Sequence, residues 1–77
     1  MEKVIFVSPL DNSMLKVKFN TGEERLFDAS PYLKKGIFQQ LQDEKNFRQA
    51  YVALDTVCWP GGLDIAPETI YDRSEPF

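Results

Sequence analysis

The sequence predicts an α+β fold: a small, mainly antiparallel sheet of about five short strands, with short helices inserted between strands three and four. Apolar and polar residues alternate from Met14 to Asn20, which is the period of a half-buried strand. Helix-start signals occur at Ser30-Pro31 and again at Asp43, which predicts short helical pieces rather than one continuous helix. With 77 residues, 43% of them hydrophobic, the chain is expected to form a single domain, residues 1–77, that needs nearly every large apolar residue for its core.

Composition argues against several classes of function. The chain has no histidine and one cysteine, so it lacks the commonest general base and the ligands of a structural zinc site. A net charge of −3 gives no electrostatic footprint for nucleic acid. No apolar run approaches the roughly 20 residues that cross a bilayer, and the first residues do not resemble a signal peptide. We therefore expect a cytoplasmic protein that is not an enzyme, with no catalytic residues, metal or cofactor, and with no binding of nucleic acid or membrane by this chain alone.

Three strands are predicted to open the fold as a meander. Lys3–Ser8 is rich in β-formers and ends at Pro9, which cannot donate to a strand ladder. Met14–Asn20 is the second strand, and Glu24–Asp28 returns beside it as the third. Gly22, in the turn between them, supplies a positive φ without steric cost.

A broken helical region is predicted to follow the meander. Ser30 and Pro31 combine a capping hydroxyl with a proline at the first helical position, which is typical of a helix start. A second helical piece over Ile37–Gln42 carries a narrow apolar stripe. Asp43 is predicted to cap a further short turn whose Phe47 points towards the core.

A second hairpin is predicted after the helical region. Ala50–Leu54 and Thr56–Trp59 are its strands, with the turn near Asp55. Pro60 ends the second of these strands, because proline removes a donor from the ladder.

The last segment is predicted to be extended at first and then helical. Gly61 and Gly62 allow backbone angles that other residues avoid, and Leu63–Ile65 continues in an extended form. Pro67–Tyr71 is predicted to form one helical turn. Asp72–Phe77 then has the composition of a loose polar tail.

Three blocks of the sequence are distinctive: Leu26–Asp43 (LFDASPYLKKGIFQQLQD), Asn46–Val52 (NFRQAYV) and Val57–Tyr71 (VCWPGGLDIAPETIY). A chain with these blocks resembles a small bacterial family, the domain of unknown function 2442, and the third block is the most specific part of the resemblance. Together with the opening strand pair, the resemblance covers nearly the whole chain.

The resemblance implies an α+β fold and no established activity, and no catalytic residue can be transferred from it. Some members of the family carry a helix-turn-helix DNA-binding domain after this module, which implies a sensor or accessory half of a regulator. Others stand alone and occur beside genes for another small family, a layout similar to toxin–antitoxin pairs. Because the sequence stops at Phe77, the resemblance implies the stand-alone form, without DNA binding.

Trp59 and Cys58 each have two interpretations. Trp59 is either an anchor for a ligand or partner, because indoles dominate interface hot spots, or part of the core of a domain that has little spare apolar area. Cys58 alternates with Trp59 and faces the other side of the strand. A reactive thiolate needs a nearby cation or helix N-terminus, and the sequence shows neither, so a small, partly buried side chain is favoured for Cys58.

Charged residues also have a functional and a structural interpretation. A pair of carboxylates can hold a divalent cation, but their spacing matches no calcium loop, so turn and helix-end roles are favoured. The carboxylates considered are Asp28, Asp64, Glu68 and Asp72. Lys16, Lys18 and Arg25 are expected on one exposed face of the sheet, where they would contact phosphate or an acidic partner or simply be solvated.

The leading hypothesis is a non-enzymatic protein-interaction module, an antitoxin-like or accessory partner of another small bacterial protein. The alternative is a small-molecule sensing domain, related to the first half of helix-turn-helix regulators, with a pocket beside Trp59. A homo-oligomer is a further possibility. Proline and lysine blunt the edges of the sheet, so the expected contact surface for a basic partner is at the far end of the chain. The residues of this surface are Asp64, Glu68, Tyr71, Asp72, Glu75 and Phe77.

Overall fold

The computed structural model describes all residues from Met1 to Phe77 and confirms an α+β fold. Seven strands form two antiparallel sheets, whereas the sequence suggested one sheet of about five strands. The first sheet contains β1 (Val4–Pro9), β2 (Met14–Phe19), β3 (Glu24–Asp28) and β7 (Glu75–Pro76). The second sheet contains β4 (Tyr51–Ala53), β5 (Thr56–Trp59) and β6 (Leu63–Ile65). The helices are α1 (Glu44–Phe47) and α2 (Pro67–Arg73), and 3-10 segments cover Ser30–Tyr32 and Gly36–Gln42.

The first three strands form the predicted meander, with strand order β1-β2-β3-β7. The alternation along β2 directs three side chains, those of Leu15, Val17 and Phe19, into the core, where all are fully buried. Lys16 and Lys18 lie on the opposite, partly exposed face, as the alternation predicts. The sheet therefore has an inner face towards the core and an outer face towards solvent.

Arg25 does not share the exposed face with the two lysines, and that prediction is wrong. The register pairs Arg25 with buried Val17, while Lys16 is opposite Leu26 and Lys18 is opposite Glu24. Because side chains alternate along a strand, this register places the Arg25 side chain on the inner face. Its side chain is only 14% exposed.

The segment after α2 is an ordered strand rather than a loose polar tail. Glu75 pairs with Leu26 and Pro76 with Arg25, and the Phe77 amide donates to the Glu24 carbonyl at 3.0 Å. Two residues are too few to show an alternating pattern, and the partner strand lies about fifty residues earlier, so no local rule predicts this pairing.

The helical region is broken, as predicted, but its first cap differs. Ser30 is the first residue of a 3-10 segment and makes no side-chain cap; instead the Asp28 carboxylate accepts a hydrogen bond from the Ser30 amide at 2.9 Å. Asp43 caps α1 by accepting from the Lys45 amide at 3.0 Å, which confirms the predicted role. Phe47 is buried in the core, also as predicted.

The second sheet is a hairpin extended by β6. Leu54 and Asp55 form the turn between β4 and β5 with φ angles of 53° and 65°, both in the left-handed region. Gly61 and Gly62, with φ angles of 95° and 80°, form the turn into β6, which is the use predicted for them. A hydrogen bond of 2.9 Å from the Val4 amide to the Asp55 carbonyl connects the two sheets.

One cluster of fourteen buried side chains joins the two sheets and the helical segments. Ile70 of α2 is fully buried in it, so the short helix covers the core rather than standing apart. The longest helical segments have seven residues, and none of them is long and apolar enough to cross a membrane.

Candidate functional site

Trp59 lies at the centre of the core and contacts no solvent. Its side chain is 0% exposed, and its ring centroid lies 5.9 Å from that of Phe47. The indole Nε1–H donates to the Phe47 carbonyl at 2.8 Å, so the one polar atom of the side chain is satisfied inside the protein. No ligand or partner can reach Trp59 while the protein is folded.

Cys58 faces the other side of β5 and is also buried. Its Sγ lies 3.4 Å from the Ala53 carbonyl and donates a weak hydrogen bond to it. Burial raises the pKa of the Cys58 thiol, and the carboxylate of Asp64, its cross-strand neighbour, raises it further. The thiol is therefore kept in its neutral form, which is a poor nucleophile.

The carboxylates considered as cation ligands do not converge. No group of three or more histidine, cysteine, aspartate or glutamate side chains is placed so that it could hold a metal ion. Asp28 has a structural role instead, since it accepts from the Ser30 amide. Asp64 lies on β6, while Glu68 and Asp72 lie on α2.

The residues of the expected partner surface are divided among three elements. Asp64 is on β6, Glu68 and Asp72 are on α2, and all three are exposed. Glu75 and Phe77 are exposed beside the edge of the first sheet. The remaining member of the set, Tyr71, is half-buried and is used inside the protein.

Tyr71 belongs to a polar cluster that fastens α2 and β7 to the first sheet. Its hydroxyl donates to the Glu23 carboxylate at 2.9 Å, and its ring packs edge-on against Phe19 with centroids 5.1 Å apart. The Arg25 guanidinium lies 4.6 Å from the centre of the Tyr71 ring. Arg25 also donates to Glu23 at 3.2 Å, to the Ser74 hydroxyl at 2.6 Å and to the Ser74 carbonyl at 2.8 Å.

The cluster shifts the pKa values of two of its members. The hydrogen bond from Tyr71 lowers the pKa of Glu23, and a hydrogen bond from the Thr21 hydroxyl together with the charge of Arg25 lowers it further. The same Tyr71–Glu23 hydrogen bond raises the pKa of Tyr71. Both shifts favour the arrangement in which Glu23 is ionised and Tyr71 is neutral.

This arrangement predicts an acid-sensitive component of stability. The folded-state pKa of Glu23 lies below the ordinary value of 4.5, so unfolded chains bind more protons as the pH falls below that value. The stabilisation is therefore complete above about pH 4.5 and is lost as the pH falls through the lowered pKa. We expect the urea midpoint of Tyr71→Phe to fall less steeply with acid than that of the wild type.

Tyr32→Phe is the matched control, because Tyr32 is a half-buried tyrosine that makes no side-chain hydrogen bond to a carboxylate. It should keep the acid dependence of the wild type. Equal acid slopes for Tyr71→Phe and the wild type would show that the Tyr71 hydroxyl does not control Glu23.

The outer face of the first sheet contains no buried residue. It carries apolar side chains among charged ones, and Phe6 and Phe77 are 50% and 64% exposed. The residues that share this face by register, here called the outer face, are Phe6, Ser8, Met14, Lys16, Lys18, Glu24, Leu26, Asp28, Glu75 and Phe77.

A second apolar surface lies where the two sheets meet. Leu54 is 87% exposed at the turn of the β4–β5 hairpin, and Ile5 is 54% exposed at a bulge in β1. The hydrogen bond between Val4 and Asp55, their chain neighbours, holds the two segments together. We call Ile5 and Leu54 the turn patch.

Sequence reasoning missed the turn patch, and of the outer face it identified only Lys16 and Lys18 as exposed and Glu75 and Phe77 as partner contacts. A left-handed two-residue turn between alternating strands normally contains glycine, asparagine or aspartate. Asp55 fits that preference and Leu54 does not, so the leucine is the sequence signal that could have drawn attention to the turn patch.

Two depressions are present on the surface, and Trp59 lines neither of them. The larger, of about 440 Å³, is broadly open and is lined by Pro9, Leu10, Asp11, Met14, Leu26 and Arg48. The smaller, of about 180 Å³, is lined by Leu10, Asn12, Ser13, Leu41, Gln42, Glu44 and Phe47. A pocket beside Trp59, as expected for a sensing domain, is not found at that position.

A comparison with protein families matches residues 4–76 to the family described as protein of unknown function, DUF2442. No curated protein and no solved structure matches the chain.

Proposed function

The chain belongs to the DUF2442 family, whose description states no activity, and we propose that it is a non-enzymatic protein-interaction module. It acts in the cytoplasm as an antitoxin-like or accessory partner of another small protein. Support comes from two groups of exposed side chains: a strained leucine, and carboxylates that form no salt bridge within the chain.

Leu54 is the observation that carries this proposal. A residue other than glycine in the left-handed region costs roughly 1–2 kcal/mol, and leucine has no polar side chain to offset that cost locally. With 87% of its surface exposed, Leu54 gains little from packing within the chain. The backbone strain at Leu54 is not offset by packing within the chain, which points to a role outside the monomer. An apolar contact between Leu54 and a partner protein would be such a role.

The surface charge suits a basic partner. Asp64, Glu68 and Asp72 are exposed on β6 and α2, and none of them forms a salt bridge within the chain. Unpaired carboxylates steer a positively charged protein during the encounter, while an apolar contact such as the turn patch slows its dissociation.

Leu54→Asn tests the proposal because it should separate stability from binding. Asparagine is favoured in the left-handed region, so the variant is expected to be more stable than the wild type by about 1 kcal/mol. The same change removes the apolar side chain and should abolish capture of the partner. Urea denaturation measures the first effect, and affinity purification of tagged protein from the native cell measures the second.

Ile37→Asn is the matched control, since Ile37 is 65% exposed in the 3-10 segment Gly36–Gln42, outside the turn patch. It should retain the same co-purifying protein in the same amount as the wild type. The proposal fails if no protein co-purifies in stoichiometric amount, or if Leu54→Asn retains the partner as well as Ile37→Asn does.

A small-molecule sensing domain is the second candidate, and the larger depression favours it. A volume of about 440 Å³ falls within the range of ligand pockets, and Met14 and Leu26 give it an apolar floor. Arg48, the cation at its rim, is already paired with Asp11 at 2.6 Å and Glu44 at 3.5 Å. Sensing would be supported over protein interaction if cell metabolites change the chemical shifts of the Met14 and Leu26 methyl groups. These changes should be the same in the Leu54→Asn variant.

A further inference from the structure

The outer face of the first sheet arranges its residues in columns of different chemistry. The register places Phe6 beside Lys18 and Lys18 beside Glu24, and the backbone hydrogen bond from Phe77 to Glu24 continues the same row. From one edge to the other, the row therefore reads aromatic, positive, negative, aromatic. The next row of the outer face carries one further charge of each sign, the positive charge of Lys16 on β2 and the negative charge of Glu75 on β7.

These charges are only partly paired within the chain. Lys16 lies 3.9 Å from Glu24 and 4.6 Å from the centre of the Phe77 ring. Lys18 and Glu75 form no salt bridge at all. The centre of the face thus presents a free positive charge on β2 beside a negative column on β3 and β7.

We infer that this face binds the outer face of a second copy of the chain, about a two-fold axis that runs parallel to the strands between β2 and β3. Such a rotation sets β2 of each copy against β3 of the other, and β1 against β7. Lys18 then lies opposite Glu24 of the second copy, and Phe6 lies opposite its Phe77. Each contact occurs twice, as a two-fold interface requires.

The charge pattern selects this axis from the alternatives. A two-fold axis perpendicular to the strands would set β2 against β2 and bring the lysines of both copies together, which is unfavourable. Either axis keeps the strands of the two sheets nearly aligned, as face-to-face packing requires, so the charge pattern decides between them. The lysine stems can cover the apolar side chains between them while their ammonium groups reach the carboxylates.

The size of the face predicts a weak dimer. Three strands about 4.8 Å apart and five or six residues long, together with the two-residue β7, cover roughly 300 Å² per copy. Stable complexes bury about 800 Å² per partner, so we expect a Kd on the order of 100 µM. Because ion pairs contribute, dimerisation should weaken as salt is raised.

Charge reversal with complementation tests the inference by sedimentation equilibrium. Lys18→Glu alone and Glu24→Lys alone each place like charges opposite one another at both contacts, so each variant should be monomeric where the wild type dimerises. An equimolar mixture of the two variants restores opposite charges at both contacts, and it should dimerise again. Neither the variants nor the mixture should lose the circular dichroism of the folded protein, because both positions lie on the outer face.

Lys34→Glu is the matched control, since it makes the same charge change at an exposed lysine outside the first sheet. It should dimerise like the wild type. The inference is overturned if the wild type stays monomeric at about 1 mM, ten times the expected Kd, if either single variant dimerises normally, or if the mixture stays monomeric. Leu54→Asn changes a different surface and should leave the dimer intact, so failure here and failure of the proposed interaction role are distinguishable.

Discussion

Replacing Trp59 with alanine is expected to destabilise the protein by about 3–5 kcal/mol, the usual cost of truncating a buried tryptophan. A domain of this size is stabilised by roughly 4–12 kcal/mol, so much of the variant population should unfold. The reason is geometric: the indole is fully buried, packs on Phe47 and satisfies the Phe47 carbonyl. Urea denaturation followed by circular dichroism measures the loss.

Trp59→Phe separates packing from hydrogen bonding in the same site. It keeps an aromatic ring but removes the indole hydrogen bond to the Phe47 carbonyl, which then accepts only from the Ala50 amide at 3.3 Å. We expect a loss of about 1–3 kcal/mol from this hydrogen bond and from the smaller ring. Tyr51→Ala serves as the exposed control, because Tyr51 is 46% exposed on β4. A Trp59→Ala variant no less stable than Tyr51→Ala would show that Trp59 does not belong to the core in solution. In the folded wild type we also expect the emission maximum of Trp59 to be blue-shifted, and we expect it to move to longer wavelength on unfolding.

Deleting Ser74–Phe77 is expected to cost about 2–4 kcal/mol, the second largest effect. The deletion removes strand β7 and two of the three hydrogen-bonding contacts of the Arg25 guanidinium, both to Ser74. Hydrogen bonds to a charged group contribute more than neutral ones, and a largely buried cation left with fewer partners is unfavourable. Urea denaturation of the shortened chain measures the cost.

Arg25→Met completes a double-mutant cycle with this deletion. Both changes remove the same Arg25–Ser74 contacts, so their costs should not add: the combined variant should be more stable than the sum predicts. If the two costs add to within about 0.5 kcal/mol, the Arg25–Ser74 contacts do not hold β7 in place.

Much of the fold could be predicted from local sequence. The alternation around Val17 and the turn residues near Gly22 specify the first meander, because strand period and turn chemistry are properties of adjacent residues. The position of Asp43 before a short polar turn likewise predicts the cap of α1. Each of these predictions rests on a few consecutive residues and is confirmed.

Apart from the cap at Ser30, the failures involve partners that are distant in the chain. The face of Arg25 depends on the register between β2 and β3, which pairs it with Val17, and a shift of one residue exchanges the two faces of a strand. The pairing of Glu75 with Leu26 depends on a strand of two residues, which carries no pattern. The exposure of Leu54 and Phe6 was not predicted, because it depends on which surfaces the rest of the folded chain leaves uncovered.

The contact between β7 and β3 also constrains the order of events during synthesis. The meander of β1, β2 and β3 emerges from the ribosome first, and its neighbouring strands can pair at once because the loops between them are short. Arg25, however, must remain hydrated until Ser74 has emerged, since no earlier residue supplies the same oxygen atoms. Until β7 has emerged and paired with it, β3 therefore remains an open edge of an incomplete sheet.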